Sequence, residues 1–351
     1  MSEHRFPFRW NLADGYPAKG IKPNGRKVFG TFICGGGSTM GYKLAGYTHL
    51  GGVEIDPKVA AAYKANHKPK HLFVEDIRAF NKREDLPDEL YNLDLLDGSP
   101  PCSTFSMAGS REKAWGKEKA FREGQAEQTL DDLVFVYCDT IAKLKPKVFL
   151  LENVKGIIQG NAKWYSKEIV RRMEANGYAV QVFCLNAASM GVPQKRERVF
   201  FIGHRKELGL PKLRLAFDER AILFGDLKDG VGKQLSKDGK LFSDWSARRQ
   251  GDKNFSEICQ REENTAKSFG RVLLSDNQTP PTIVSGNQYI YFDKFEEVGT
   301  GDICKIGSYP LDYDFQALEP KYLIGMSVPP VMTAQIANQI WEQWLSKLSN
   351  K

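Results

Sequence analysis

The sequence contains no run of eighteen apolar residues, so no membrane-spanning helix is expected. Its opening decapeptide, MSEHRFPFRW, lacks the apolar core of a secretion signal. The six cysteines, at 34, 102, 138, 184, 259 and 304, lie far apart, and neither a CxxC pair nor a Cys/His cluster occurs. That spacing excludes the usual zinc frameworks, and no metal is expected. Without a secretion signal the cysteines read as reduced thiols of a cytoplasmic protein. GxGxxG, internal repeats and low-complexity tracts are all absent. The formal net charge of +7 over 351 residues is modestly basic, which is compatible with a polyanionic partner without establishing one. The length suits one large domain and a smaller one.

The chain is organised around Leu93–Ser106, LDLLDGSPPCSTFS. A short apolar run ends at Asp97-Gly98, and two prolines stiffen the backbone directly before Cys102. Strand, sharp turn and exposed small nucleophile is the order expected at the carboxyl end of a parallel sheet. Taken alone, Cys102 reads more readily as a buried structural thiol than as a nucleophile, a balance that the rest of the chain reverses.

The surrounding chain alternates strand and helix. Val28–Ile33 reads as a strand, followed by Cys34-Gly35-Gly36-Gly37-Ser38 and a helical pattern, the opening of a nucleotide-binding unit. A second strand ends in Glu54-Ile55-Asp56, where Glu54 is placed for ribose hydroxyls and Asp56 for capping the helix that starts at Pro57. A third, His71–Val74, leads to Glu75-Asp76-Ile77. The polar segment Ser103–Gln125, with Arg111, Lys113, Lys117, Lys119 and Arg122, reads as a mobile lid. A helix is expected over Thr129–Lys143, a strand over Pro146–Asn153 with Glu152 on the same rim as Cys102, a helix over Trp164–Asn176 and a strand over Tyr178–Asn186. In Gln194–Gly203, QKRERVFFIG, Arg196 and Arg198 are two apart and project on one side if the segment is extended. Residues 206–278 read as irregular, 280–284 as a short stiff strand, Tyr309–Phe315 as an aromatic turn and Val331–Leu348 as a helix.

Taken together these elements resemble the DNA (cytosine-5) methyltransferases over nearly the whole length from Val28. The ordered set is TFICGGGSTMGYKLAGY, EID, EDI, GSPPCS, LLENVKG, GVPQKRERVFFIG, PPTIVSG and IGMSVPP. The resemblance implies an α/β, doubly wound Rossmann-like domain that uses S-adenosylmethionine, releasing S-adenosylhomocysteine, with a smaller target-recognition domain inserted. The implied division is residues 1–27 as an N-terminal extension, 28–205 as the catalytic domain, 206–316 as the target-recognition region and 317–351 as a segment returning to the catalytic domain.

The implied chemistry suits the residue types. The Cys102 thiolate adds to carbon 6 of a cytosine flipped out of duplex DNA, so that carbon 5 becomes nucleophilic. Glu152 donates a hydrogen bond or proton at ring nitrogen 3, Arg198 holds the base carbonyl oxygen, and Arg196 orients the loop and supports the thiolate. By the same resemblance the cofactor lies on Phe32, Gly35 and Gly37, with Glu54 at the ribose, Asp76 and Ile77 at the adenine, and Ser327 and Val328 near the methionine end. Ile55 and Pro101 are cofactor-binding residues as well. Departures from the family pattern are Gly30, Cys34, Ser103, Gln128 and Met326, and none touches Cys102, Glu152 or Arg198. The implied partner is double-stranded DNA, bound by a monomer at the nucleoid; the chain is expected to be either the methylase of a restriction-modification system, with a cognate endonuclease encoded nearby, or a phage orphan methylase. Competing readings are a cytosine-5 methyltransferase of tRNA, though the CFT tripeptide of that group is absent, a catalytically silent DNA-binding scaffold, and a nicotinamide-dependent dehydrogenase.

Overall fold

In the computed structural model, which describes residues 4–16, 20–101, 118–119, 128–129 and 132–349, the central strand is β1 (Lys27–Thr31). Its alternation puts Val28 on one face and Phe29 on the other, and both are fully buried, as a strand covered on both sides requires. The other strands of this sheet are β2 (Thr48–Glu54), β3 (His71–Val74), β4 (Leu95–Gly98), β5 (Val148–Val154), β6 (Tyr178–Asn186) and β7 (Glu197–Arg205). Their spatial order is β3-β2-β1-β4-β5-β7-β6.

Strands β1 to β5 run parallel, whereas β7 is antiparallel to both β5 and β6. The parallel pairing read from the sequence therefore stops at β5. The cause is the connection 187–196, which holds only the 3-10 turn Ala187–Met190 and no crossover helix. A parallel neighbour needs a crossover of about a dozen residues or more, so β6 and β7 pair antiparallel.

Helices α1 (Gly37–Leu44) and α2 (Pro57–His67) cover the face that carries Val28, Leu95 and Val148. Helices α3 (Ile77–Lys82), α4 (Leu133–Leu144) and α5 (Lys163–Ala175) cover the face that carries Phe29, Leu96 and Phe149. The helix expected from Thr129 thus begins at Leu133, and the backbone of Gln128–Thr129 instead pairs with Glu118–Lys119.

Residues 206–278, read as irregular, contain regular structure. Helices α6 (Phe224–Leu227), α7 (Lys240–Ser246) and α8 (Phe255–Glu263) accompany β8 (Gly232–Gln234), β9 (Arg271–Leu274), β10 (Gln288–Tyr291) and β11 (Glu296–Val298). The four strands form a second sheet, ordered β8-β11-β10-β9. Phe255, Ile258, Leu273, Ile290 and Phe295 form its own small core. The strand expected at 280–284 is a single bridge between Lys195 and Pro281, because two successive prolines supply no N–H to a ladder.

Helix α9 (Thr300–Ile306) leads to α10 (Pro320–Met326) and α11 (Pro330–Gln343), which returns to the first sheet and packs on α1. A Cβ at Gly41 of α1 would stand 2.4 Å from the Pro330 carbonyl oxygen, so only glycine permits this approach. The terminal helix is shorter than the sequence reading, ending at Gln343 before a 3-10 turn, Leu345–Lys347. The N-terminal segment packs on the body: Phe6 and Trp10 are buried, Trp10 Nε1 donates to the Ser308 carbonyl, and Asp312 accepts from the N–H groups of Leu12 and Ala13. Among the described residues no helix is long and apolar enough to cross a membrane.

Candidate active site

The chain leaves β1 toward one side of the sheet and, from β4 onward, toward the other. A crevice opens outside the carboxyl ends of the strands at such a switch point. Here it is a cleft whose empty space, open mouth included, is about 790 Å³. Its walls come from the loops after β1 to β4, with Phe32, Ile55, Ile77, Pro101 and Leu133 supplying apolar surface and Glu54 and Glu75 carboxylates. Tyr322 and Met326 close it from α10.

The turn after β1 is built for close approach. Phe32 and Cys34 take φ of 55° and 47°, in the left-handed region. For a residue as bulky as Phe this is strained, at about 1–3 kcal/mol, and such strain concentrates at functional sites. Glu54 fixes the turn from the end of β2. Its Oε2 accepts from the Cys34 N–H and its Oε1 from the Asp56 N–H, both at 3.0 Å. Burial raises the Glu54 carboxyl above the usual range, and these two N–H groups oppose the rise. Burial likewise pushes the Cys34 thiol up to about 12, so this cysteine stays protonated and is no nucleophile. Asp56 caps α2 through the N–H groups of Lys58 and Val59, with Pro57 in the first turn, as the sequence predicts.

A second, narrower pocket adjoins the cleft and shares Phe32, Cys34 and Ser99 with it. Gly37, Ser38 and Thr39 of α1 line it, with Ser327, Val328 and Asp97. A Cβ at Gly37 would lie 2.1 Å from the Val328 carbonyl oxygen, which requires glycine where the 327–328 turn crosses the start of α1. Ser327 Oγ accepts from Tyr309 Oη at 2.6 Å.

Of the sequence-derived cofactor candidates, Phe32, Glu54, Ile55, Ile77 and Pro101 line the cleft, and Phe32, Gly37, Ser327 and Val328 line the narrower pocket. Gly35 and Asp76 line neither. The Gly35 carbonyl faces away, accepting from Tyr313 Oη at 2.8 Å and contacting His67 Nε2 at 3.2 Å. Asp76 is committed to α3, accepting the Arg78 N–H at 2.7 Å and pairing with its guanidinium, and its neighbour Glu75 faces the cleft instead.

Glu152 lies at the carboxyl end of β5, 8 % exposed. Arg198 reaches it because β7 is antiparallel: the register sets Val154 opposite Arg198, so the start of β7 shares a rim with the end of β5. Arg198 Nε stands 3.0 Å from Glu152 Oε1. Arg196 does not share this partner. It is buried and donates to the carbonyls of Gly325 and Ser327 at 3.1 and 2.9 Å, holding the turn that covers the start of α1. Asn153 Nδ2 donates to the Pro100 carbonyl at 3.4 Å, tying β5 to the segment that leads into residue 102. Cys102 lies outside the described residues, as does Ser103–Gln125 apart from the backbone of Glu118–Lys119.

The sequence reading missed Asp97, Tyr42 and Ser38. An acid interrupting the apolar run Leu95-Leu96 was the available signal. Asp97 Oδ1 accepts from Tyr42 Oη at 3.1 Å, and burial, with the Glu152 charge adding, pushes its carboxyl up to about 7. Elsewhere Asp244, Cys259 and Glu263 cluster at a spacing a metal could use, but the Lys240 ammonium already bridges the two carboxylates.

Comparison with known proteins gives a consistent result. The family model of the C-5 cytosine-specific DNA methylase matches residues 27–342. Type II methyltransferase M.FnuDI of Fusobacterium nucleatum is 28 % identical over 348 residues, covering 92 % of this chain and 96 % of its own. Type II methyltransferase M.NgoPII of Neisseria gonorrhoeae is 35 % identical over 185 residues, 53 % of this chain and 50 % of its own. Among solved structures, a protein encoded within an E. coli prophage superposes with a TM-score of 0.65 at 19 % identity, over 91 % of this chain and 99 % of that one. DNMT2 of Spodoptera frugiperda superposes with a TM-score of 0.62 at 14 % identity, over 90 % and 99 %. At these identities the structural likeness speaks for the fold.

Proposed function

The chain belongs to the C-5 cytosine-specific DNA methylase family, and from that premise we propose how its residues move a methyl group to carbon 5 of a cytosine in duplex DNA. The observation that carries the reading is the Glu152–Arg198 pair, held 3.0 Å apart at the carboxyl end of β5, whose Asn153 is tied to the segment that leads into Cys102.

The residues of the cleft fit S-adenosylmethionine. Apolar walls at Phe32, Ile55 and Ile77 suit a flat base, the buried Glu54 at their edge suits ribose hydroxyls, and the adjoining narrow pocket suits an amino-acid end. When bound, the cofactor supplies an electrophilic methyl group. Cys102 is the nucleophile that adds to carbon 6 of the flipped cytosine, and it leaves once the hydrogen on carbon 5 has been lost. Glu152 holds a proton toward ring nitrogen 3 as negative charge develops on the ring, and Arg198 holds the carbonyl oxygen beside it. Arg196 acts at one remove, through the Gly325 and Ser327 carbonyls that place Ser327 and Val328 in the pocket.

Residues 206–316, with the second sheet, serve as the target-recognition region, and 317–351 return to the catalytic domain. The names of the curated relatives support a type II methyltransferase, and we propose that it is paired with a restriction endonuclease and works on DNA as a monomer in the cytoplasm. The test is a duplex library carrying 5-fluorocytosine, incubated with protein and S-adenosylmethionine. A denaturation-resistant adduct that disappears in Cys102→Ala supports the reading. Methyl transfer to tRNA alone, with none to any duplex, would replace it with the RNA alternative.

A further inference from the structure

Asp97 is a carboxyl group that the reading above does not use. It sits on β4, 5 % exposed, in a strand otherwise made of leucine and glycine. Holding Tyr42 in place needs only a neutral acceptor, so an acid here carries a desolvation cost that its hydrogen bond does not require. The titratable groups facing it are Tyr42 on α1, Tyr63 on α2, Tyr137 on α4 and Glu152 on β5. His49, on the neighbouring β2, is held neutral by burial. None of these is a cation.

Asp97 lines the narrow pocket that runs on from the cofactor cleft, and its carboxyl group is hydrogen-bonded by the side chain of Ser38, which lines the same pocket. We propose that Asp97 is the counter-ion for the α-ammonium group at the amino-acid end of the cofactor, which makes it a ligand and positioning residue of this pocket. The proposal rests on the cofactor reading above and names one more residue of that site. The amino-acid end is a zwitterion, and the pocket has two unlike poles. Gly37, Ser38 and Thr39 line the pocket, and as first-turn residues of α1 they carry N–H groups that no carbonyl within the helix reaches, which suit the carboxylate. Asp97 repels a carboxylate and suits the ammonium.

A protonic signature follows. Without ligand, burial keeps the Asp97 carboxyl near 7. A cation beside it favours the ionised form, so binding releases a proton from Asp97 at pH values below about 7.

The experiment is calorimetric titration of the full-length protein between pH 5.5 and 8.5, in buffers of different ionisation enthalpy. Three probes are used: S-adenosylhomocysteine, its analogue lacking only the α-amino group, and methylthioadenosine. The expected result is release of up to one proton by S-adenosylhomocysteine at acid pH, fading above pH 7, and none with either of the other two. In Asp97→Asn, which keeps an acceptor for Tyr42, the release vanishes. S-adenosylhomocysteine then binds about ten- to a hundredfold more weakly, as loss of a charge-assisted hydrogen bond implies, while the deaminated analogue is little changed. Equal affinity of the wild type for S-adenosylhomocysteine and its deaminated analogue, or proton uptake on binding, overturns the proposal and leaves the cofactor reading intact. Failure of all three probes to bind the wild type overturns the cofactor reading itself. The wild-type titrations decide the matter even if the variant does not fold.

Discussion

The guanidinium of Arg198 meets the carboxylate of Glu152 across an antiparallel strand pair, with Nε 3.0 Å from Oε1. In a wholly parallel sheet a residue at the start of a strand would lie on the opposite rim from one at the end of its neighbour. The reversal of β7 puts both on the rim formed by the carboxyl end of β5. Each side chain is about nine-tenths buried, so the pair is shielded from solvent and each partner fixes the other's position.

The two members of this pair should therefore fail differently from the walls of the cleft. Glu152→Gln keeps the shape and one hydrogen bond but cannot move a proton. Methyl transfer should slow by about 10²–10⁴-fold, the usual worth of a general acid, with S-adenosylhomocysteine affinity unchanged within a factor of about three. Arg198→Ala should lose about 10²–10³-fold in kcat, the usual worth of an electrostatic donor. Single-turnover transfer and equilibrium binding measure both. A Glu152→Gln enzyme with wild-type turnover removes the acid role.

Cys102→Ala should abolish transfer and adduct formation while leaving duplex binding within a few-fold of wild type, because the thiol acts on carbon 6 and not on the backbone phosphates that dominate affinity. Gel shift and methyl transfer read on the same preparation check this. Residual turnover above about one part in a thousand would count against the nucleophile assignment.

At the opposite, amino end of the sheet lies a structural counterpart. Asp94 accepts from Arg26 Nη1 at 3.2 Å, from the Lys147 ammonium at 2.8 Å and from the Lys27 N–H at 2.8 Å. Arg26 in turn donates to the Leu345 carbonyl at 2.8 Å, which fastens the end of the chain to β1. Asp94→Ala leaves the Arg26 charge buried without its carboxylate and should cost about 3–5 kcal/mol in urea unfolding. A loss below about 1 kcal/mol would show that water reaches Arg26 in the variant.

How much of this was legible in the sequence depends on what each residue's position rests upon. The position of Glu152 toward the carboxyl end of β5 was legible because PKVFLLEN is a continuous apolar run ending in an acid, a local pattern. Arg198 reached the same rim for a reason the pattern does not contain: an apolar strand reads alike in both directions, and only the short 187–196 connection hints at the reversal. Arg196, two residues away, donates to the Gly325 and Ser327 carbonyls, a contact between parts of the chain more than a hundred residues apart that no local pattern contains. The second sheet escaped notice because its strands are three or four residues long, too short to show alternation. Asp97 was in plain view, but its significance comes from Tyr42 above it and the pocket beside it.

Acid should weaken the fold through His67. The side chain closes α2 and is almost wholly buried, with Nε2 3.2 Å from the Gly35 carbonyl and Nδ1 without a hydrogen-bond partner. Its ring packs 4.6 Å from that of Tyr63, centroid to centroid, and it stands where a Cβ on Gly36 would be. Burial, with the Lys43 charge adding, lowers its pKa from 6.5 to about 3. The unfolded chain therefore binds a proton that the folded chain refuses at every pH between those values. The stability due to neutral His67 is fully present above pH 6.5 and is lost as pH falls toward 3, at about 1.4 kcal/mol per pH unit. Urea unfolding at pH 5.5 should give about 1 kcal/mol less stability from this group than at pH 7.5. His67→Gln, which can still donate to Gly35, should narrow that difference by the same amount while lowering stability at pH 7.5. Because His67 braces the Gly35–Gly37 turn from behind, cofactor affinity should fall together with stability as the wild type is acidified. An equal acid response in wild type and His67→Gln would place the sensitive group elsewhere, with the buried, neutral His49 the next to examine.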